Sequence, residues 1–266
     1  MAQDLYFNYL DEGEGPALVF QHGLGADMTQ VSALLSGHTG PRRLLCMECL
    51  NHGGSTLTDD PAQLSLPAFA ADLEAFVDAQ ALEAAVIGGL SMGAAISLHL
   101  ALARPGAFSG LIFLRPAWLA DPAPAHLRPL LEIANFLEAY GPWEGRELYP
   151  RSAAFQEVYA VSPAAAQVLI GQFDTTHPVE KALLLRGIVN SAPFSDPEAL
   201  AAIRVPVLVM ASDADPIHPL ALGQALAGHL PQAIFRQVPS KYTDEAAHNA
   251  AVRSEIAAFL NDLSPL

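Results

Sequence analysis

A serine hydroxyl is a weak nucleophile unless a histidine can take its proton and a carboxylate can fix that histidine's tautomer. This chain carries candidates for all three. Ser91 is central to Gly88-Gly89-Leu90-Ser91-Met92-Gly93, entered by the apolar run Ala84-Ala85-Val86-Ile87 and left by a helix-like run from Ala94 to Ala103. A buried strand that turns sharply into a helix is the setting of a G-x-S-x-G elbow. There Gly89 and Gly93 give room for the chain to cross itself, and backbone strain lifts the serine clear of the sheet. Five-residue Gly/Ser patterns also arise by chance, so the flanks give this one its meaning. Carboxylates that could follow it are Asp213 and Asp215, within Ala211-Ser212-Asp213-Ala214-Asp215-Pro216-Ile217-His218-Pro219, and the histidines are His218 and His248. His218 lies only three residues past Asp215 in a proline-bounded turn, which reads as a poor bridge to Ser91.

Two more glycine loops accompany the elbow. The buried run Ala17 to Gln21 ends at His22-Gly23-Leu24-Gly25, where the glycines let a backbone amide point at a substrate oxygen. The run Leu44 to Cys49 leads into Asn51-His52-Gly53-Gly54-Ser55.

In motif order and spacing the chain resembles the α/β-hydrolases, of the compact single-domain kind that carries a helical lid, from about Ala17 to Leu260 apart from the middle. His22 to Gly25 resembles the family's oxyanion loop. Asn51 to Ser55 resembles its Gly-His-Gly-x-Ser loop, with Asn51 in place of the first glycine. The resemblance implies a mostly parallel twisted sheet with helices on both faces, and a helical lid inserted after the sixth strand. It implies the chain order serine, acid, histidine, hence Ser91, Asp215 and His248. The family's acid stands just before a short apolar step and a proline, which Asp215 matches and Asp213 does not. Asp213 is left to a local turn bond. The oxyanion donors implied are the backbone N–H groups of Leu24 and Met92. His22 and Arg115 are candidate substrate-binding residues.

The expected activity is hydrolysis of a small to medium ester or lactone through an acyl-enzyme on Ser91, with no metal or organic cofactor implied. Cofactor-free C–C bond hydrolysis or perhydrolysis on the same fold is the alternative, and a non-enzymatic small-molecule receptor is a second. Motifs of this kind are specific for fold and much less so for substrate.

The elements that must position these groups are legible in outline. Leu5 to Tyr9 reads as a first strand with a hairpin turn at Glu12-Gly13-Glu14-Gly15; Leu111 to Leu114, Val205 to Met210 and Ala233 to Val238 read as later strands. Ser65-Leu66-Pro67 opens a helix with apolar positions at Phe69, Leu73, Phe76 and Val77, and Ala251 to Leu260 closes the chain as another. Between them, residues 116–203 are broken by prolines at 116, 122, 124, 129, 142 and 150 and carry helical spacing over Leu127 to Tyr140, Pro163 to Phe173 and Val179 to Val189. That segment is the expected lid, and residues 1–115 and 204–266 the core. Phe136, Leu137, Phe173 and Leu184 are its expected inward residues, pointing to a mainly hydrophobic substrate.

With 266 residues, 52% of them hydrophobic, the chain can bury one sizeable core. A formal charge of -15, with no basic cluster longer than Arg42-Arg43, argues against nucleic acid or an anionic membrane as partner. The partner expected is a small molecule, with a homodimer left open. The sequence has neither an N-terminal leader pattern nor a run of about 18 apolar residues, so the expected location is cytoplasmic. Cys46 and Cys49 are three apart in a strand, hence on opposite faces, and read as structural. Arg115 directly follows a strand in a chain with few basic residues. It either pairs with a lid acid such as Glu132, Glu138 or Glu180, which is favoured, or binds a substrate carboxylate.

Overall fold

Short apolar runs, too brief for helices, become β2 (Ala17–Gln21), β3 (Arg43–Met47), β4 (Val86–Leu90), β5 (Gly110–Leu114) and β6 (Val207–Ala211). The edges are β1 (Tyr9–Glu12) and β7 (Ala233–Gln237). The computed structural model describes residues 5–263, and its one sheet runs in the order β1-β3-β2-β4-β5-β6-β7 with only β1 antiparallel. Strand alternation splits the core between the two faces. Leu18, Phe20, Leu44 and Cys46 pack with Val31 and Leu35 of α1 (Met28–Leu35) and with Val252 and Ile256 of α9 (Glu245–Asp262). Val19, Leu45 and Met47 face α2 (Leu66–Ala79), α3 (Met92–Ala103) and α8 (Leu220–His229). Cys46 and Cys49 join opposite clusters as free, buried thiols.

Caps fix where helices begin. Ser65 accepts from the Ala68 amide ahead of α2, with Pro67 in its first turn. Asp244 accepts from the Ala247 amide, so α9 starts at Glu245, six residues before Ala251.

Between β5 and β6 the chain is helical: α4 (Arg128–Leu148), α5 (Ala153–Val161), α6 (Pro163–Ile170) and α7 (Pro178–Val189). Gly141, at φ 71°, kinks α4 just before Pro142. Tyr149 is fully buried, with the rings of Phe136, Phe155 and Phe173 centred 5.5 to 5.6 Å away. Leu137, Phe173 and Leu184 are buried and Phe136 half-buried. Their cluster is continuous with Leu66, Phe69 and Leu73 of α2, so these helices share the core of the sheet.

Three expectations are corrected. The first strand lies at Tyr9–Glu12, not Leu5 to Tyr9, and it pairs with β3, so Glu12 to Gly15 does not join paired neighbours. The sheet has seven strands, so the helical segment follows the fifth rather than the sixth. The closing helix takes in His248.

The chain leaves β2 for β3 on one side and returns to β4 on the other. A crevice therefore opens beyond the carboxyl ends of β2 and β4, where such sheets bind ligands.

Candidate active site

Ser91 stands at that switch point, between β4 and α3, at φ 54° and ψ -110°. This is a costly conformation for a residue with a side chain, on the order of 1–3 kcal/mol, and the neighbours impose it. A Cβ on Gly89 would come within 2.7 Å of Gln21 O, and one on Gly93 would strike the same carbonyl. The Ser91 amide donates to Leu114 O at 3.0 Å, tying the elbow to the end of β5.

The histidine against Ser91 is His218. Its Nε2 lies 2.8 Å from Ser91 Oγ, and its Nδ1 lies 3.1 Å from both carboxylate oxygens of Asp215. Local turn chemistry makes this geometry. Asp215 Oδ1 accepts from the amides of Ile217 and His218 at 3.2 and 3.1 Å, an Asx turn that folds the loop back and puts both side chains on one side. The proline-bounded turn thus presents His218 to the elbow. Asp213, in the same loop, is exposed.

His248 does not reach Ser91. In the first turn of α9 its Nδ1 donates to Pro239 O at 2.7 Å, because Asp244 caps the helix before His248 rather than after it. The loop between β7 and α9 delivers Tyr242 instead. Arg115, at the end of β5, donates through Nε to Asp215 Oδ2 at 2.7 Å and through Nη2 to Tyr242 Oη at 2.9 Å, with Nη2 also 2.7 Å from Asp215 Oδ2. Nη2 also stands 3.0 Å from His218 Nδ1 in hydrogen-bonding geometry, the roles depending on the ring's tautomer; the tautomer with its proton on Nδ1 donates to the Asp215 carboxylate and leaves Nε2 free to accept from Ser91. Arg115 is buried and spent on the acid itself. It neither pairs with a lid acid nor faces a substrate: Glu138 pairs with Arg186.

Burial sets the electrostatics. It pushes the His218 imidazole down to about 4; the Asp215 charge works upward and Arg115 adds to the fall. Burial would raise the Asp215 carboxyl, but the positive groups of His218 and Arg115 outweigh it and hold the carboxyl below its usual range.

His22 is fully buried, with both nitrogens committed: Nε2 accepts from the Cys49 amide at 3.1 Å and Nδ1 donates to Gly23 O at 2.9 Å. It braces the loop and has no atom left for a substrate. His52 does the same for Gly25, accepting its amide at 3.1 Å while donating to Leu50 O. Burial lowers both pKa values and keeps the rings neutral. Buried Glu48 binds the side chain of Asn8 and the amides of Met28 and Gly54, locking both glycine loops together. Within His22 to Gly25, the Gly23 amide donates to Gln30 Oε1 at 2.8 Å and the Gly25 amide to His52. The Leu24 amide between them, like that of Met92 at the start of α3, has no acceptor among the described residues.

Sequence reasoning singled out Ser91, Asp215 and the two free amides, but passed over His218 and Tyr242. The available signal was the i, i+3 spacing of Asp215 and His218, which an Asx turn converts into contact. Among the described residues no group of three or more His, Cys, Asp or Glu is placed to hold a metal ion.

A strained serine at the switch point of a mostly parallel sheet, facing a histidine and a carboxylate, defines the class as an α/β-hydrolase. A family model described as the alpha/beta hydrolase family matches residues 18–255, and the chain belongs to that family; its class is that of a hydrolase. It is 27% identical over 246 residues to the provisionally named carbamate hydrolase RutD of Azorhizobium caulinodans, covering 88% of this chain and 86% of the relative. It is 24% identical over 274 residues to 3-oxoadipate enol-lactonase 2 of Acinetobacter baylyi, covering 97% and 94%. A thermophilic esterase from Thermogutta terrifontis superposes with a TM-score of 0.77 at 20% identity, over 98% of this chain and 95% of that one. No helix among the described residues is long and apolar enough to cross a membrane.

Proposed function

We propose that this protein hydrolyses a carboxylic ester or lactone through an acyl-enzyme on Ser91, with His218 as the base. The observation that carries the reading is the 2.8 Å contact between His218 Nε2 and Ser91 Oγ, with Asp215 on the opposite ring nitrogen. In this reading Ser91 attacks the carbonyl carbon as its proton passes to His218 Nε2. The imidazolium is stabilised by Asp215, which Arg115 holds in place. The developing oxyanion accepts from the amides of Leu24 and Met92. His218 then protonates the leaving oxygen; in deacylation it takes a proton from the water that attacks the acyl carbon and returns it to Ser91 Oγ as the C–Oγ bond breaks and the acid departs.

Three features favour acyl transfer over a receptor role. The base is neutral above about pH 4, the strained backbone at Ser91 holds the hydroxyl against that base, and the amide between two bonded loop amides is free. The names of the two sequence relatives, an enol-lactonase and a carbamate hydrolase, both concern bonds to a carbonyl carbon. The helices between β5 and β6 act as the lid over the site, and their apolar side chains favour a substrate of small to medium size.

The test is hydrolysis of p-nitrophenyl acetate by Ser91→Ala, with labelling by a serine-reactive phosphonate. The expected result is a loss on the order of 10³-fold or more in kcat with folding intact, and phosphonate carried on Ser91 alone. Activity within a few-fold of wild type would remove Ser91 from the role.

A further inference from the structure

Beside the loop that carries Leu24 lies a cavity of about 500 Å³, walled by Gly25, Asn51 and His52 on the sheet side and by Phe173, Thr175 and Lys181 on the helical insertion. Lys181 is a group the proposed reaction does not use. It sits in α7, half-buried, and among the described residues its ammonium has no hydrogen-bond or ion-pair partner. Burial alone pushes it down to about 8. An ammonium that lines a cavity with no counter-charge in contact is placed to take up an anion.

That position is specific. Lys181 Nζ is 2.9 Å from the point that a Cβ on Gly25 would occupy, and the Gln172 carboxamide lies against the same point. Gln172 Oε1 is buried with no partner; rotating the amide exchanges its oxygen for an N–H₂ donor beside Nζ. The other charges lining the cavity are largely committed. Arg146 pairs with Asp174, and Asp27 caps α1 by accepting from the Thr29 amide. Glu180 is the remaining carboxylate, and it has no contact with Lys181 among the described residues.

The loop connects this cation to the reacting centre. Gly23 packs against Leu90, next to Ser91, while Gly25 packs against Lys181. Two residues of chain span at most about 7 Å, and Leu24, with its free amide, lies between them.

We infer that Lys181 and Gln172 form a carboxylate subsite, so that the preferred substrate is an ester or lactone carrying an anionic carboxylate a few carbons from its reactive carbonyl. The subsite rests on the reading of Ser91 as the nucleophile. Ammonium and carboxamide would hold the carboxylate across the loop from Leu24, and so set the carbonyl over the two free amides.

The experiment compares kcat/KM for p-nitrophenyl hemiglutarate and p-nitrophenyl butyrate in wild type, Lys181→Met and Lys181→Arg. Wild type should favour the anionic ester. Lys181→Met should lower the anionic-to-neutral ratio by on the order of ten- to a hundredfold, as expected for a lost charge-assisted bond, mostly through KM, and Lys181→Arg should keep much of the preference. A ratio unchanged in Lys181→Met, or no wild-type preference, overturns the subsite. Calorimetric titration with free glutarate, on folded wild type and Lys181→Met, separates this from the ester reading. If neither ester is cleaved, weaker glutarate binding in Lys181→Met still supports the subsite, and equal or absent binding in both overturns it.

Discussion

Arg115 Nε and Nη2 each stand 2.7 Å from one carboxylate oxygen, Oδ2 of Asp215, with both side chains buried. The other oxygen, Oδ1, takes the amides of Ile217 and His218, while the His218 ring nitrogen lies 3.1 Å from both oxygens. The acid is therefore divided between a cation that fixes its place and a histidine that it orients.

If His218 is the base, His218→Ala should lower kcat for p-nitrophenyl acetate by on the order of 10³-fold or more. His248→Ala should stay within a few-fold and cost about 1 kcal/mol of stability for its bond to Pro239 O. Steady-state kinetics and urea unfolding on both variants give the ranking, and the reverse order would return the base to His248.

Replacing Asp215 by Asn should cost on the order of 10⁴-fold in kcat, since an amide there favours the wrong imidazole tautomer. Asp213→Asn, at an exposed position, should be close to wild type. Equal and small losses in both would mean that neither carboxylate orients the base.

The pH profile follows from the buried imidazole. Only neutral His218 can accept the serine proton, and its pKa is lowered to about 4, so kcat/KM should hold down to roughly that pH instead of falling near 6.5. Stability has the opposite vulnerability. Between about pH 6.5 and about 4 the unfolded histidine binds a proton that the folded one does not, so this group's contribution is complete above the unfolded value and is lost as pH falls through that window. Melting temperatures across the same range, taken for wild type and His218→Gln, test this: the variant should show a shallower decline.

Arg115→Met leaves Asp215 buried with one cation fewer. A loss of about 3–5 kcal/mol is expected on breaking one side of such a pair, measured by urea unfolding. Removing the positive charge also lets the acid limb of kcat/KM move upward from about 4. Because Arg115 acts through Asp215, neutral and anionic esters should suffer alike, in contrast to Lys181→Met.

Local chemistry wrote much of this molecule into its sequence. The elbow is legible because the close crossing of Gly89 and Gly93 over Gln21 leaves no room for a side chain, and only glycine meets that demand. The helix that opens at Ser65 is equally local, being a cap and a proline. Strands β2, β4, β5 and β6 are legible because both of their faces are buried. What the sequence could not carry is which histidine meets Ser91. That depends on an Asx turn that folds His218 back, on a cap at Asp244 that takes His248 into a helix, and on Arg115 arriving from a strand a hundred residues earlier to hold Asp215. Each is a contact between segments or a choice between competing turns, and packing in three dimensions decides among them. The partners of Arg115 and the uncompensated ammonium of Lys181 have the same origin: side-chain charges find their neighbours only after the sheet and the helices above it have come together.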